Sequence, residues 1–200
     1  LNSPYLRHWF CQNIMIAHPK ITLMPIGLDY HTMTEANDWG CPMSPHEQEQ
    51  CLLGIRAQAV PFWQRELRCY ANFHFLMTTR HGYDRVAATR QIPKDLVDYE
   101  PVRIPRLQSW QRQSRYAFVV SPHGNGLDCH RTWEALAMGC IPIVKRSSLD
   151  RLYDGLPVLI VSAWSDLNER LLQTTAMTFR RRSFCVEKLS LQYWTDRMQR

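Results

Sequence analysis

The sequence predicts an α/β protein: a parallel sheet, doubly wound by helices. Three observations point there. From about residue 66 onward, apolar runs of strand length alternate with stretches of helical periodicity. Two of those runs, Tyr116-Ala-Phe-Val-Val120 and Cys140-Ile-Pro-Ile-Val144, are nearly continuous in apolar residues. A strand buried on both faces requires that pattern. Between them lie a Gly-rich loop, Ser121 to Asp128, and a helix-length segment, Cys129 to Met138, with Gly139 as its left-handed cap.

The elements follow in order. Tyr5 to Ala17, apolar at Leu6, Trp9, Phe10, Ile14 and Ile16, reads as a short helix ended by Pro19. Ile21 to Gly27 reads as a buried strand closing in a Pro/Gly turn. Gly27 to Thr32 is then a loop, and residues 34 to 43 are irregular. Ser44-Pro-His-Glu47 has the form of a capping box with proline at the first helical position, opening a helix to about Val60. Arg68 to Met77 reads as a central strand and Asp84 to Gln91 as a helix. Residues 93 to 106, with three prolines, form a linker-like excursion or short strand. Leu107 to Arg115 is a polar helix. Leu156 to Val161 is a strand, Asp166 to Thr175 a helix capped by Ser165, and Ser183 to Met198 an amphipathic helix. The expected division is an N-terminal segment (1–65), a Rossmann-like domain (66–182) and a C-terminal helix (183–200).

The bulk composition, 45% hydrophobic and 21% charged, supplies enough apolar material for a real core. A formal charge of +6 suits an anionic ligand. The basic residues are scattered rather than gathered in a stripe, which argues against a nucleic-acid partner. The one cluster, Arg180-Arg181-Arg182, reads as a solvated helix end. Seven cysteines without framework spacing are expected as reduced thiols. With no Asn-x-Ser/Thr sequon, they favour the cytoplasm over the Golgi as the compartment. The chain starts at Leu1, so it is read as a piece of a longer protein.

In open α/β sheets, ligands bind beyond the carboxyl ends of the strands. The loop Ser121-Pro-His-Gly-Asn-Gly-Leu-Asp128 is placed there. Gly124 and Gly126 let the backbone come close to a ligand. The following helix offers unpaired N–H groups and a partial positive charge to a diphosphate. His123, Asn125, His130 and Arg131 can add donors, and Arg131 has the flat fork that suits phosphate oxygens. Glu134 shares a helix face with His130 and Arg131, where a carboxylate can accept two bonds from a ribose diol. The loop has neither the Gly-x-x-x-x-Gly-Lys-Ser/Thr phosphate loop nor the Gly-x-Gly-x-x-Gly fingerprint.

The run Phe118-Val-Val-Ser-Pro-His-Gly124 followed by Cys129-His-Arg-Thr-Trp-Glu-Ala-Leu-Ala-Met-Gly-Cys-Ile-Pro-Ile-Val144 resembles the donor-site signature of exostosin-like glycosyltransferases. Arg131, Glu134, Ala135, Gly139, Cys140, Ile141 and Pro142 match that signature residue by residue. A looser likeness runs from Tyr70 to Val161. The resemblance implies a GT-B-type donor-binding domain and transfer of a sugar from a nucleoside diphosphate, usually with inversion. It implies that Arg131 holds the diphosphate and Glu134 the ribose, with Arg80 or Arg85 as a second phosphate ligand. Cys129 stands where the family usually has Ser, so the hydroxyl that touches phosphate is not carried over. The chain holds one Rossmann-like half, and its N-terminal segment reads as the end of an acceptor half.

On this reading the donor is a nucleotide sugar, expected as a UDP-sugar, and the acceptor a glycan or glycoprotein. Asp29 and His31, in a loop after a strand, are candidates for the base that deprotonates the acceptor hydroxyl. No cofactor or metal is expected, since no Asp-x-Asp motif is present and the His/Cys spacing fits no zinc pattern. Fixed cations, rather than a metal, are expected to stabilise the leaving diphosphate. Plainer readings stand beside each role. Glu134 can be a surface residue paired with His130, His123 a structural loop histidine, Asp128 a helix cap, Asp29 and His31 turn residues, and His74 a core histidine. Two other functions fit the same loop: a fucosyltransferase-like GT-B enzyme with a GDP-sugar, and a non-catalytic nucleotide- or carbohydrate-binding module.

Overall fold

The computed structural model describes residues 1–35 and 39–199. The middle of the stretch expected to be irregular, residues 36–38, lies outside the described residues. The chain begins with two short parallel strands, β1 (Trp9–Cys11) and β2 (Ile21–Leu23), paired Trp9 to Ile21 and Cys11 to Leu23. The helix expected over Tyr5 to Ala17 does not form. Asn13, at φ 52°, holds a left-handed conformation that no helix tolerates, and the backbone before it pairs with β2 instead. The loop expected over Gly27 to Thr32 winds into α1 (Tyr30–Glu35). α2 (Pro45–Gln58) starts as its sequence predicts. Ser44 Oγ accepts from Glu47 N–H at 3.3 Å, and Glu47 Oε2 accepts from Ser44 N–H at 2.7 Å.

Five parallel strands follow: β3 (Glu66–Ala71), β4 (Val97–Tyr99), β5 (Tyr116–Val120), β6 (Ile141–Lys145) and β7 (Leu159–Val161). They lie side by side in the order β4-β3-β5-β6-β7. The joining helices are α3 (Tyr83–Gln91), α4 (Arg106–Gln113) and α5 (His130–Ala137). α6 (Glu169–Arg180) and α7 (Leu191–Gln199) complete the chain.

Alternation along the strands sorts the helices onto two faces. Phe118 and Val120 of β5 pack with Ile141 and Ile143 of β6, Ala88 of α3, and Leu172 and Ala176 of α6. Val119, pointing the other way, packs with Trp110 of α4, Ala135 of α5, Cys140 and Leu52 of α2. Val144 joins that side with Trp133, Tyr153 and Trp194 of α7. Phe118, Ile141 and Ile143 are fully buried, each contributing roughly 1.5–3 kcal/mol of apolar burial. The result is a mixed α/β fold with two parallel sheets and helices on both sides of the larger one, broadly Rossmann-like in architecture.

Several bounds differ from the sequence reading. β3 ends at Ala71 rather than Met77. Its last ladder bond is Glu100 N–H to Ala71 O, 2.8 Å, and beyond it the short β4 offers no partner. Residues 72–77 therefore leave the sheet. The Pro-rich excursion contains the edge strand β4. α6 is capped by Asn168, whose Oδ1 accepts from Leu171 N–H at 2.9 Å, and not by Ser165. The C-terminal helix begins only at Leu191, after a 3-10 turn at Val186–Leu189. No helix among the described residues is long and apolar enough to cross a membrane.

The strand order positions the site. From β3 the chain moves outward to β4, then crosses back to β5 on the other side of β3. The carboxyl ends of β3 and β5 therefore part their connections in opposite directions and leave a crevice between them.

Candidate functional site

A cleft of about 900 Å³ opens at this crossover. Its walls are the residues after β3 (72–77), the loop and first turn at Asn125 to Arg131, and residues 100–106 before α4. Asp29, Thr32 and Trp39 close the remaining side.

The floor is the amino end of α5. Its cap residue, Cys129, supplies no side-chain cap. Thr132 N–H turns back to Cys129 O at 3.0 Å, while among the described residues the N–H groups of His130 and Arg131 donate to no protein acceptor. Such amides, at the positive end of a helix dipole, form a ready anion site. Arg131 stands over them. Its Nε donates to Asn72 Oδ1 at 2.8 Å, and its guanidinium lies 5.8 Å from the Phe73 ring centroid. Burial first, and then the nearby Arg85 charge, pull its pKa down to about 10. Arg85 is itself buried, donating from Nε to His123 O (3.2 Å) and from Nη1 to His74 O (3.3 Å). Gly124 makes room for it, because any side chain at that position would collide with the Arg85 guanidinium. Two cations held together in a desolvated pocket repel one another, and an anion between them relieves that cost.

Beside this floor runs a chain of charges. Arg106 Nη1 donates to Glu134 Oε1 at 2.6 Å and Nη2 to Asp29 Oδ2 at 3.2 Å. Burial disfavours the Arg106 charge, but the Glu134 and Asp29 carboxylates outweigh it and raise its pKa. Glu134 is only 3% exposed, so it is no surface residue, and its partner is Arg106 rather than His130. His130 Nδ1 lies 2.8 Å from Gly27 O. Asp29 Oδ1 accepts from Thr32 N–H at 3.3 Å, capping α1, and lies 3.2 Å from His31 Nδ1. Burial pushes the Asp29 carboxyl up, while its Thr32 bonds, His130 and Arg106 pull harder and leave it below the ordinary range.

Asp29, Arg85, Asn125, Gly126, His130, Arg131 and Glu134 thus surround one cleft. His31 stands at its rim, largely exposed. Arg80, in the turn before α3, is exposed and outside the cleft lining. His123 and Gly124, in the first half of the loop, are not among the residues that line the cleft. His123 N–H donates to Asp84 Oδ2 at 3.0 Å, and burial lowers the pKa of its ring. Gly126 takes the Asn13 side chain where a Cβ would stand, and Asn13 Oδ1 accepts from Asp128 N–H at 2.7 Å.

Two plainer expectations are corrected. The Asp128 carboxylate does not serve mainly as a helix cap; it accepts from Ile26 N–H and Trp133 Nε1, both at 2.8 Å. Burial pushes its pKa up to about 6. His74 is not a core histidine. Because β3 ends at Ala71, His74 is exposed at the cleft, 5.5 Å from Trp39 between ring centroids. Sequence reasoning missed Asp84, Arg106 and the role of Asn72. Asp84 also accepts from Trp164 Nε1 at 2.9 Å and lies 3.5 Å from Lys145 Nζ, so it pins the loop from below. It stands in the first turn of α3, where an acidic residue is common because it complements the helix dipole, so its position alone signals no site.

No family model matches the chain, and a comparison with curated proteins gives no match. The likeness to exostosin-like enzymes rests on the motif residues themselves.

Proposed function

We propose that the chain is the donor-binding, GT-B-type part of an exostosin-like glycosyltransferase. It takes a nucleoside diphosphate sugar, expected as a UDP-sugar, and serves an acceptor hydroxyl on a glycan or glycoprotein. One observation carries the reading: the open amides of His130 and Arg131 sit with two guanidiniums, that of the half-buried Arg131 and that of the buried Arg85, at the crossover crevice.

In this reading the diphosphate docks on the amino end of α5 between Arg131 and Arg85. Glu134 uses Oε1 for Arg106 and keeps Oε2 as an acceptor for a ribose hydroxyl. The acceptor oxygen attacks the anomeric carbon, and the bond from that carbon to the diphosphate oxygen breaks. The nucleoside diphosphate leaves with the electron pair, its charge met by the arginines and helix amides. The acceptor proton passes to His31, whose imidazole the Asp29 carboxylate orients. The rest of the acceptor surface belongs to a further domain of the same chain.

Calorimetry and thermal shift against UDP-, GDP- and dTDP-sugars test the reading. A UDP-sugar should stabilise the protein and Arg131→Ala should weaken the effect. If no nucleotide sugar binds at millimolar concentration, the reading falls. Binding without hydrolysis or transfer would leave a non-catalytic module.

A further inference from the structure

Next to Arg131, where the amino end of α5 meets the N-terminal segment, the cleft carries a donor set of a different kind. Asp29, His31 and His130 each offer one ligand atom, and these atoms lie within 4.8 Å of one another. The His31 and His130 rings have centroids 6.0 Å apart in an edge-on arrangement. We propose that Asp29, His31 and His130 hold a divalent transition-metal ion of the zinc class at the rim of the cleft.

The tautomer of His130 supports this. Gly27 O can only accept, so the 2.8 Å bond places the His130 proton on Nδ1 and leaves Nε2 with a free lone pair. An imidazole that donates its far N–H to a backbone carbonyl is held as metal-bound histidines are held. Asp29 is similarly prepared. Arg106 occupies its Oδ2, and Thr32 N–H fixes the carboxylate from the helix side, so Oδ1 faces His31. Arg106 places a cation beside the carboxylate but shares its own charge with Glu134. Two imidazoles and one carboxylate suit zinc and its first-row neighbours better than calcium or magnesium, which prefer oxygen. A three-ligand set leaves a position open for water or a bound hydroxyl.

Ligands at about 2.1 Å from a tetrahedral ion sit roughly 3.4 Å apart, so the set must draw in by on the order of 1 Å. His31 has that freedom, with its side chain 68% exposed on the two-turn α1. The site departs from the metal-free expectation of the sequence and stands independently of the nucleotide-sugar reading. Where both hold, His31 serves as a ligand and not as the base, and the ion would acidify a hydroxyl at the open position, whose proton then leaves to solvent.

The test uses the whole chain with its thiols reduced by a non-chelating phosphine. Co²⁺ is titrated by visible absorption and Zn²⁺ by competition with a chromogenic chelator, without nucleotide. The expected result is one equivalent of ion with no thiolate-to-cobalt charge-transfer band. His31→Ala should weaken the affinity at least about tenfold while the melting temperature in chelator stays unchanged. Asp29→Asn, which keeps an oxygen for Thr32 N–H, should weaken it likewise. Equal affinity in wild type and His31→Ala, a sulfur charge-transfer band, or no stoichiometric binding would each overturn the site. Failure of the donor screen would leave this result untouched.

Discussion

The two sides of the cleft carry similar side chains on unlike supports. On one side, Arg131 and Glu134 rise from α5, whose neighbours Ala135 and Leu136 are buried against the sheet. On the other, Asp29 and His31 belong to a strap whose strands, β1 and β2, have no fully buried residue. The strap is held to the rest of the molecule by polar contacts, from Asn13, Ile26 and Gly27 to Asp128 and His130, and by Leu23, Met24, Ile26 and Leu28, which pack only partly buried against the cluster of Trp133 and Val144. A site on packed elements stays within a fraction of an ångström, while one on a strap can close on its ligand. Binding an anion asks for the first kind of support, and gathering metal ligands tolerates the second.

The largest test of this contrast removes a buried carboxylate from the packed side. Asp84→Ala should cost about 3–5 kcal/mol in urea unfolding, because it strands the His123 N–H, the Trp164 indole and Lys145 beneath the loop. If it costs no more than a surface change, the loop is not pinned from below.

Asp128 joins the two sides and should show it in pH dependence. Its folded pKa, about 6, lies above the ordinary 3.8. The folded state therefore binds the proton more tightly, and this carboxyl stabilises the fold most below pH 3.8. That contribution declines as the pH rises through 6 and is level above it. The loss is on the order of 3 kcal/mol. Comparing wild type with Asp128→Asn by denaturant midpoints from pH 4 to 7 isolates it; parallel profiles would remove Asp128 as the titrating group. Asp29 has the opposite sign. Its lowered pKa makes its contribution present above the ordinary carboxylate range and lost as the pH falls.

Arg131→Ala should weaken UDP binding by about 10- to 100-fold, the loss of a charge-assisted contact of roughly 1.5–3 kcal/mol. Calorimetry reads this, and an unchanged affinity would move the anion elsewhere. The smallest effect is expected from Asp29→Asn, under about 1 kcal/mol in unfolding free energy, since the amide still caps α1 and Arg106 keeps Glu134. A larger cost would mean that the strap is as firmly built as the sheet.

The sheet was legible where burial is continuous on both faces. Tyr116–Val120 and Ile141–Lys145 announce themselves by apolar runs, and Ser44 by its capping box. It was not legible where a partner decides. Asn72 to Met77 reads as strand until β4 proves too short to pair with it. Tyr5 to Ala17 has enough apolar residues for a helix, but Asn13 and the pairing with β2 prevail. In the site, Arg131 and Glu134 were visible from their spacing on one helix. Arg106 lies 28 residues from Glu134, and Asp84 39 residues from His123, and no local pattern reports such distances.

The strap's contacts also set an order of events during synthesis. Asn13 meets Asp128 across 115 residues, Gly27 meets His130 across 103, and Ile26 meets Asp128 across 102. A ribosome adding about 5–20 residues per second delivers those partners roughly 5 to 20 s after the strap has emerged. Through that interval Leu23, Met24, Ile26 and Leu28 lack the core cluster they pack against. The first-made piece of the cleft is therefore the last to settle, and a chaperone that shelters nascent apolar segments would find its target there.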